Sequence, residues 1–471
     1  MNSQNLWLMR HELMLAVSVV VLLVVEIFSS AKHKTNVVLP LSIALMGLSM
    51  LVGGMYPEAG TLFGGIYRTD ALRTAVKLVL DAGALLVFFQ VYGWIRRPEN
   101  SDKVSEFFIL VFSTLIGMHY MVSAGDFMMM YLGLELASIP LSALAAFDRY
   151  KRVSAEAGIK YILSSAMSTA FLLFGLSFIY ITAGTLHFDA LQAAFRPDVL
   201  TILGLVFFMA GMAFKISLVP FHLWTADVYE GAPVAVTAYF SVVSKGAAVF
   251  VLTWVLYHVF GAAVEQWRII LVTLAVMTMT VGNLFALRQQ NMKRFLAFSS
   301  IAQAGFILLG MLGQGALGMA SVVFYLLVYV FTNIAAFSVV AAISNATGKE
   351  NIDDYRGLYA TNPRLTLVLM VALFSLAGIP PVAGFFGKLF LFNAAASQGY
   401  YWLIFVAVVN ATISLYYYLR PVRAMFIDKN EHPIAFFKSD AYMRMGLLLC
   451  MAGIFATGFI SWFFEYLFAV S

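Results

Sequence analysis

Glu135, Lys215, Lys245 and Lys388 stand in stretches otherwise built of aliphatic, aromatic and small residues, and His222 follows Lys215 just past Pro220. Groups of this kind in this setting suit proton transfer. Burial disfavours the charged form of a lysine or a carboxylate while mutual attraction favours it, so moving one charge changes how tightly the other holds its proton. His222 titrates near neutrality and is a candidate shuttle. It would lie two turns beyond Lys215 on the same face if one helix ran through Pro220. Each residue also has a plainer reading: His222 as a hydrogen-bonding residue at a helix end, Glu135 and one lysine as a staple between helices. Each embedded charge costs roughly 2.5–3.5 kcal/mol unless it is paired, hydrated or used. Three separated lysines cannot all be neutralised by one carboxylate, so a relay accounts for them better than a staple.

The elements that hold these residues follow from composition. The 471 residues are 62% hydrophobic and 11% charged, with a mean hydropathy of +0.88, which defines an integral membrane protein. Apolar runs of bilayer length fall at about 13–29, 37–56, 75–95, 106–123, 126–147, 158–183, 198–222, 233–258, 268–287, 295–313, 316–345, 365–394, 400–420 and 443–467. Continuous runs of this length predict an all-α fold of about fourteen transmembrane helices, because lipid tolerates only helices or closed barrels and barrel strands alternate. Most of the 29 Lys and Arg fall in connections after odd-numbered runs. That bias places those connections in the cytoplasm and both termini outside. Lys215, Lys245 and Lys388 are read as the lysines inside spans. The first run, although followed by "SSAKH", is expected to stay as a helix, since Arg10 is offset by Glu12 and Glu26 lies within it.

Several chemistries are excluded. One cysteine, Cys450, and no His/Cys cluster at ligand spacing leave nothing to hold an iron–sulfur cluster, haem c or structural zinc, so any electron carrier must sit on another chain. The +5 charge is dispersed and predicts no nucleic-acid partner. "GFFGK" at 384–388 lacks the first glycine and the Ser/Thr of a phosphate loop. Met128, Met129 and Met130 read as apolar filler, Tyr416, Tyr417 and Tyr418 as an interfacial belt, and His119 and His258 as packing residues. Glu26 and Asp81 read as contacts to neighbouring helices, and the mixed-charge connection 421–442 as solvated.

An internal repeat is visible. The seventh run is interrupted near Lys215 and Pro220, and the twelfth by Gly378, Pro380, Pro381 and Gly384 before Lys388. Two Gly/Pro-broken spans five helices apart fit repeats of opposite topology, with each break lining a hydrated midpoint.

"FKISLVPFHLWTADVYEGAPVAVTAYFSVVSK" (214–245), "NMKRFLAFSSIAQAGF" (291–306) and "LAGIPPVAGFFGKLFLF" (376–392) resemble the antiporter-like membrane subunits of proton-pumping NADH:quinone oxidoreductase, respiratory complex I, and "DVYEGAP" is similar to the subunit N type. The resemblance implies helices 1–3 over 1–105, inverted five-helix repeats over 106–258 and 268–420, broken helices 7 and 12, and a connection with helix 14 over 421–471. No lateral helix is expected after Ser471. The resemblance makes Glu135 the helix-5 glutamate, Lys215 its helix-7 partner, Lys245 the helix-8 lysine and Lys388 the helix-12 lysine. One departure is Gln303, where relatives often carry a histidine, so a relay there needs water or a hydrogen-bond chain. The implied function is proton translocation across a bacterial inner membrane, coupled to quinone reduction elsewhere. NADH, FMN, iron–sulfur clusters and quinone would then belong to partner subunits, sister antiporter-like subunits being among the neighbours, and this chain would bind no cofactor or metal. A subunit of an Mrp-type Na⁺/H⁺ antiporter is the alternative, and a scaffold with helix-stapling charges is a further one.

Overall fold

Helix follows helix because each apolar run can satisfy its backbone polar groups only internally once surrounded by lipid. The computed structural model describes residues 6–28, 34–55 and 57–471. The "SSAKH" segment, and with it Lys32, lies outside them. Among the described residues, thirteen helices are long and apolar enough to cross a membrane. The principal helices are α1 (Arg10–Phe28), α2 (Lys34–Gly54), α3 (Ala71–Ile95), α4 (Val104–Val122), α5 (Phe127–Ala145), α6 (Arg152–Ala183) and α7 (Val199–Ile216). There follow α8 (Leu223–Gly231), α9 (Val234–His258), α10 (Val264–Ala286), α11 (Met292–Leu312) and α12 (Gly315–Thr347). The chain closes with α13 (Pro363–Ala377), α14 (Ala383–Ser397), α15 (Tyr401–Phe426), α16 (Ala441–Phe459) and α17 (Trp462–Val470). The predicted twelfth span is thus two short helices, α13 and α14.

Polar residues between the runs start the helices. Asp70, Asp126, Asp198 and Asp440 each accept a hydrogen bond from the backbone N–H three residues on, and Asn291 caps α11 in the same way. Neighbouring helices approach closely where glycines meet. A Cβ on Gly117 of α4 would lie 2.4 Å from the Ala137 nitrogen of α5, and one on Gly133 would lie 2.6 Å from the Met121 nitrogen. This is the small-residue contact that lets membrane helices pack without a hydrophobic driving force. At the same end, a two-stranded antiparallel hairpin, β1 (Gly60–Leu62) and β2 (Tyr67–Thr69), is tied to the α4–α5 turn by Arg68 N–H to Ser123 O at 2.8 Å and Gly125 N–H to Ile66 O at 2.6 Å.

The most apolar stretch of α11 is wholly buried, and those of α9 and α12 are nearly so. These three form the centre, and Lys245 and Gln303 lie on two of them.

The 421–442 connection is not simply solvated. Asn362, at the start of α13, donates to Ile434 O and Ala435 O and accepts from the Phe437 N–H, and Ile434 is buried. An asparagine side chain substitutes here for the strand or helix partners that an irregular backbone lacks.

Candidate proton-transfer site

Both helix breaks come from a residue in the left-handed region. Helix α7 stops at Ser217 (φ 67°), where N–H groups of Ser217 and Leu218 return to Phe214 O and Ala213 O. Helix α13 stops in the same fashion at Gly378 (φ 87°). The consequence for His222 is a correction. The seven-residue spacing from Lys215 does not translate into a shared helix face, because the helix ends before Pro220 and His222 begins the separate helix α8. Its ring is buried and Nδ1 has no hydrogen-bond partner among the described residues. The lysines also sit differently at the two breaks. Lys215 is on the half-helix before its break, whereas Lys388 is on the half after its break and reaches back to it.

Lys215, Lys245 and Lys388 are 8%, 3% and 4% exposed. None takes part in the ion pairs found among the described residues. Lys215 Nζ donates to Ser138 Oγ of α5 at 2.7 Å and to Ser165 Oγ of α6 at 2.6 Å. Glu135, one turn from Ser138, accepts instead from Thr169 Oγ1 at 2.7 Å, one turn from Ser165. Carboxylate and ammonium are therefore separated by a ladder of hydroxyls on two facing helices, in place of the direct staple. Glu135 is also only half-buried, at the chain's own surface.

Lys245 Nζ donates to Ser300 Oγ at 2.6 Å and lies 5.9 Å from the Tyr229 ring centre. A five-residue π-helical stretch, Phe240–Ser244, immediately precedes it. Such bulges rotate the following side chain relative to a regular helix. Next along α11, Ser299 and Tyr418 hydroxyls meet at 2.5 Å, and Gln303 Nε2 donates to Tyr418 Oη at 3.0 Å and to Leu376 O at 2.9 Å. Tyr325 Oη donates to Gln303 Oε1 at 2.5 Å. Lys388 Nζ donates to the same Leu376 O at 2.9 Å and to Ala377 O at 3.0 Å, the carbonyls freed where α13 ends. Gln303 and Lys388 thus donate to one shared acceptor, Leu376 O.

At the end where α6 and α11 begin, a cavity of about 660 Å³ is lined by Asp148, Lys160, Asp227, Glu230, Arg294 and Glu350. Asp227 bonds Lys160 Nζ at 2.7 Å and Arg294 Nη1 at 2.9 Å, joining α8 to α6 and α11. Burial acts to raise the Asp227 carboxyl, but the bonds from Lys160 and Arg294 outweigh it and hold it below its ordinary value. A second pocket of about 250 Å³ adjoins Lys388, Gly378 and Phe385.

Lys77 corrects the count of buried lysines. It lies inside α3, 2% exposed, and pairs with Glu12 of α1. Asp81 bonds both His11 and His119, as the expected inter-helix contact, and His119 has a charged partner beyond simple packing. The i, i+4 spacing of Lys77 and Asp81 in an apolar run was the available signal. The serines and tyrosines that bond the lysines offered no comparable signal, since such residues abound in membrane helices.

A bundle of this topology, with broken helices around a buried lysine line, is the architecture of the antiporter-like membrane proteins. The family described as "NADH:quinone oxidoreductase/Mrp antiporter, TM" matches residues 124–414, and the chain belongs to it. Within it, the chain is 50% identical over 460 residues (98% of this chain, 97% of the relative) to NADH-quinone oxidoreductase subunit N of Phocaeicola vulgatus. It is 41% identical over 83% of its length to subunit N of Desulforamulus reducens, 84% of which is covered. Among solved structures, a chain of respiratory complex I from Thermus thermophilus with bound aureothin superposes with a TM-score of 0.79 at 31% identity, covering 95% of this chain and 96% of that one. A chain of the Mrp complex from Dietzia shares the fold, with a TM-score of 0.87 at 21% identity over 98% of this chain and 96% of that one.

Proposed function

We propose that this chain is a proton-translocating membrane subunit of an NADH:quinone oxidoreductase. The observation that carries the reading is the set of three buried lysines in the bundle, held by hydroxyls and carbonyls with no carboxylate in contact among the described residues. A lysine so held is not locked in its charged form and can pass a proton when the local field changes. Protons enter from the charged cavity beside Asp227, on the cytoplasmic side, and travel by Lys215 and Lys245, then through Ser299, Tyr418 and Gln303, to Lys388. Glu135, half-buried at the chain's surface and linked to Lys215 through Ser138, Ser165 and Thr169, is placed to receive the signal from a neighbouring subunit. His222 stands at the hydrated break as an auxiliary shuttle. The two five-helix units 106–258 and 268–420 are the inverted repeats, flanked by 1–105 and 421–471, and the termini lie outside. Redox chemistry, with NADH, FMN, iron–sulfur clusters and quinone, belongs to partner subunits of the complex in a bacterial inner membrane. The high identity to subunit N along nearly the whole chain favours this reading over an Mrp antiporter, for which the shared family and the fold speak.

The test is Lys215→Ala in membrane vesicles, normalised to assembled complex. NADH-driven quinone reduction and vesicle acidification should fall together. Normal acidification per assembled complex would overturn the relay, and sodium exchange without a respiratory substrate would move the chain to the antiporter class.

A further inference from the structure

A second polar network lies apart from the lysine line, among α1, α3 and α4. Asp81 Oδ2 is 2.6 Å from His11 Nε2, and Asp81 Oδ1 is 3.0 Å from His119 Nε2. Asp81 and His119 are fully buried, His11 is 4% exposed, and the two imidazole rings meet edge to face at 4.5 Å. With both Nε2–H groups given to one carboxylate, each Nδ1 is left as a base, and neither has a hydrogen-bond partner among the described residues. The cluster then carries one negative charge in a buried site, the situation in which a carboxylate most needs a counter-charge. One proton on either Nδ1 converts an imidazole to an imidazolium and brings the cluster to zero. A divalent cation would instead leave an excess positive charge.

Charged side chains continue from the cluster along α3 toward the hairpin end of the bundle. Arg73, Lys77 and Asp81 follow one another at four-residue intervals on α3 and so share one stripe. Lys77 pairs with Glu12, and the Tyr67 hydroxyl of β2 donates to Glu12 Oε2 at 3.0 Å. Arg73 and Asp70 line a cavity of about 420 Å³ at the hairpin end of the bundle, together with His258 and Tyr257 at the end of α9. On the other side, hydroxyls lie between the helices of the cluster and the helix of Lys245. Thr114, on the same helix as His119, meets the Tyr239 hydroxyl at 2.6 Å, and Tyr239 lies on α9 ahead of Lys245. Helix α3 packs directly on that part of α9, with Gly83 against Val243 and Gly246 against Leu80. The charged and titratable groups facing the cluster are thus Glu12 from α1, Lys77 from α3, Tyr67 from the hairpin, Tyr120 from α4 beside Glu12, and Tyr239 from α9.

We propose that His11, Asp81 and His119 form a proton-binding centre on an outward branch, which takes protons from the Lys245 region through Tyr239 and Thr114 and releases them by Glu12, Lys77 and the cavity at Arg73. This rests on the translocation reading above. The proton binds and leaves at imidazole Nδ1, with no other bond changed.

The experiment uses the purified complex in proteoliposomes and compares His119→Gln, Asp81→Asn and Lys215→Ala with wild type. NADH-driven quinone reduction, acidification and infrared difference spectra under turnover, with ring-labelled histidine, are recorded per assembled complex. His119→Gln keeps an amide donor toward Asp81 but cannot take up a proton. It should lose coupled quinone reduction and acidification together and lose an imidazolium band that wild type shows, and Asp81→Asn should do the same. Wild-type acidification with an unchanged spectrum in assembled His119→Gln overturns the centre, and if Lys215→Ala is nevertheless inactive, the translocation reading survives. Normal pumping by Lys215→Ala sinks that reading instead. Should Asp81→Asn fail to assemble, His119→Gln decides alone.

Discussion

At the scale of single residues, the site works through what does not touch the lysines as much as through what does. An ammonium facing a carboxylate in a low-dielectric interior is strongly held, and removing either partner leaves a costly unpaired charge. Lys215 on Ser138 and Ser165, and Lys245 on Ser300, have neutral partners that can donate or accept and so suit both protonation states. In the proposed relay, Gln303 is the point where hydrogen bonds would have to serve in place of a titrating group. Gln303→Leu removes the amide from Tyr418, Tyr325 and Leu376 O at once, so acidification per quinone reduced should fall while the complex still assembles. Gln303→His, which supplies a titratable ring at the same place, should retain it. Equal loss in both variants would show that Gln303 matters only for packing.

At the scale of elements, two devices set the geometry. Left-handed residues at Ser217 and Gly378 end α7 and α13 in mid-bundle, freeing carbonyls that would otherwise be consumed within the helix, and Lys388 uses two of them. Glycine contacts bring paired helices into backbone contact. The α4–α5 pair carries both His119 and the Glu135–Ser138 face, so its spacing fixes how far the His11–Asp81–His119 cluster lies from Lys215. Gly117→Val would drive a side chain into the α5 backbone, where a Cβ alone comes to 2.4 Å of nitrogen. Overpacking of this kind costs roughly 1–3 kcal/mol. The expected result is a lower thermal unfolding midpoint of the detergent-solubilised complex, and an unchanged midpoint would mean that the two helices separate freely.

At the scale of the whole molecule, the charged cavity holds three parts together. Asp227 on α8 clamps Lys160 of α6 and Arg294 of α11, so the short helix after the first break is tied to both α6 and α11. Because the Asp227 carboxyl is held below its ordinary value, its contribution to stability is present above the unfolded-state value of about 4 and is lost as pH falls through the lower folded-state value. The difference in thermal stability between wild type and Asp227→Asn should therefore be present near neutral pH and shrink in acid. A difference independent of pH would mean that Asp227 acts through shape alone.

The sequence by itself determined that the chain is a helical membrane protein, where nearly every span lies, and which charges must be explained. A charge inside a 20-residue apolar run is conspicuous whatever surrounds it, and Glu135, Lys215, Lys245 and Lys388 were legible for that reason. The two helix breaks were legible too, since glycine and proline act locally. Tertiary structure alone decided the partners. Whether Lys215 meets Glu135 or a serine depends on the rotation of α5, α6 and α7 about their axes, which glycine contacts and breaks set at distances that sequence spacing does not encode. The same holds for His222, whose apparent phase with Lys215 vanished where α7 stopped. It holds most of all for His11, Asp81 and His119, which are far apart in the chain and share no periodicity, so only the packing of α1, α3 and α4 brings them to one point.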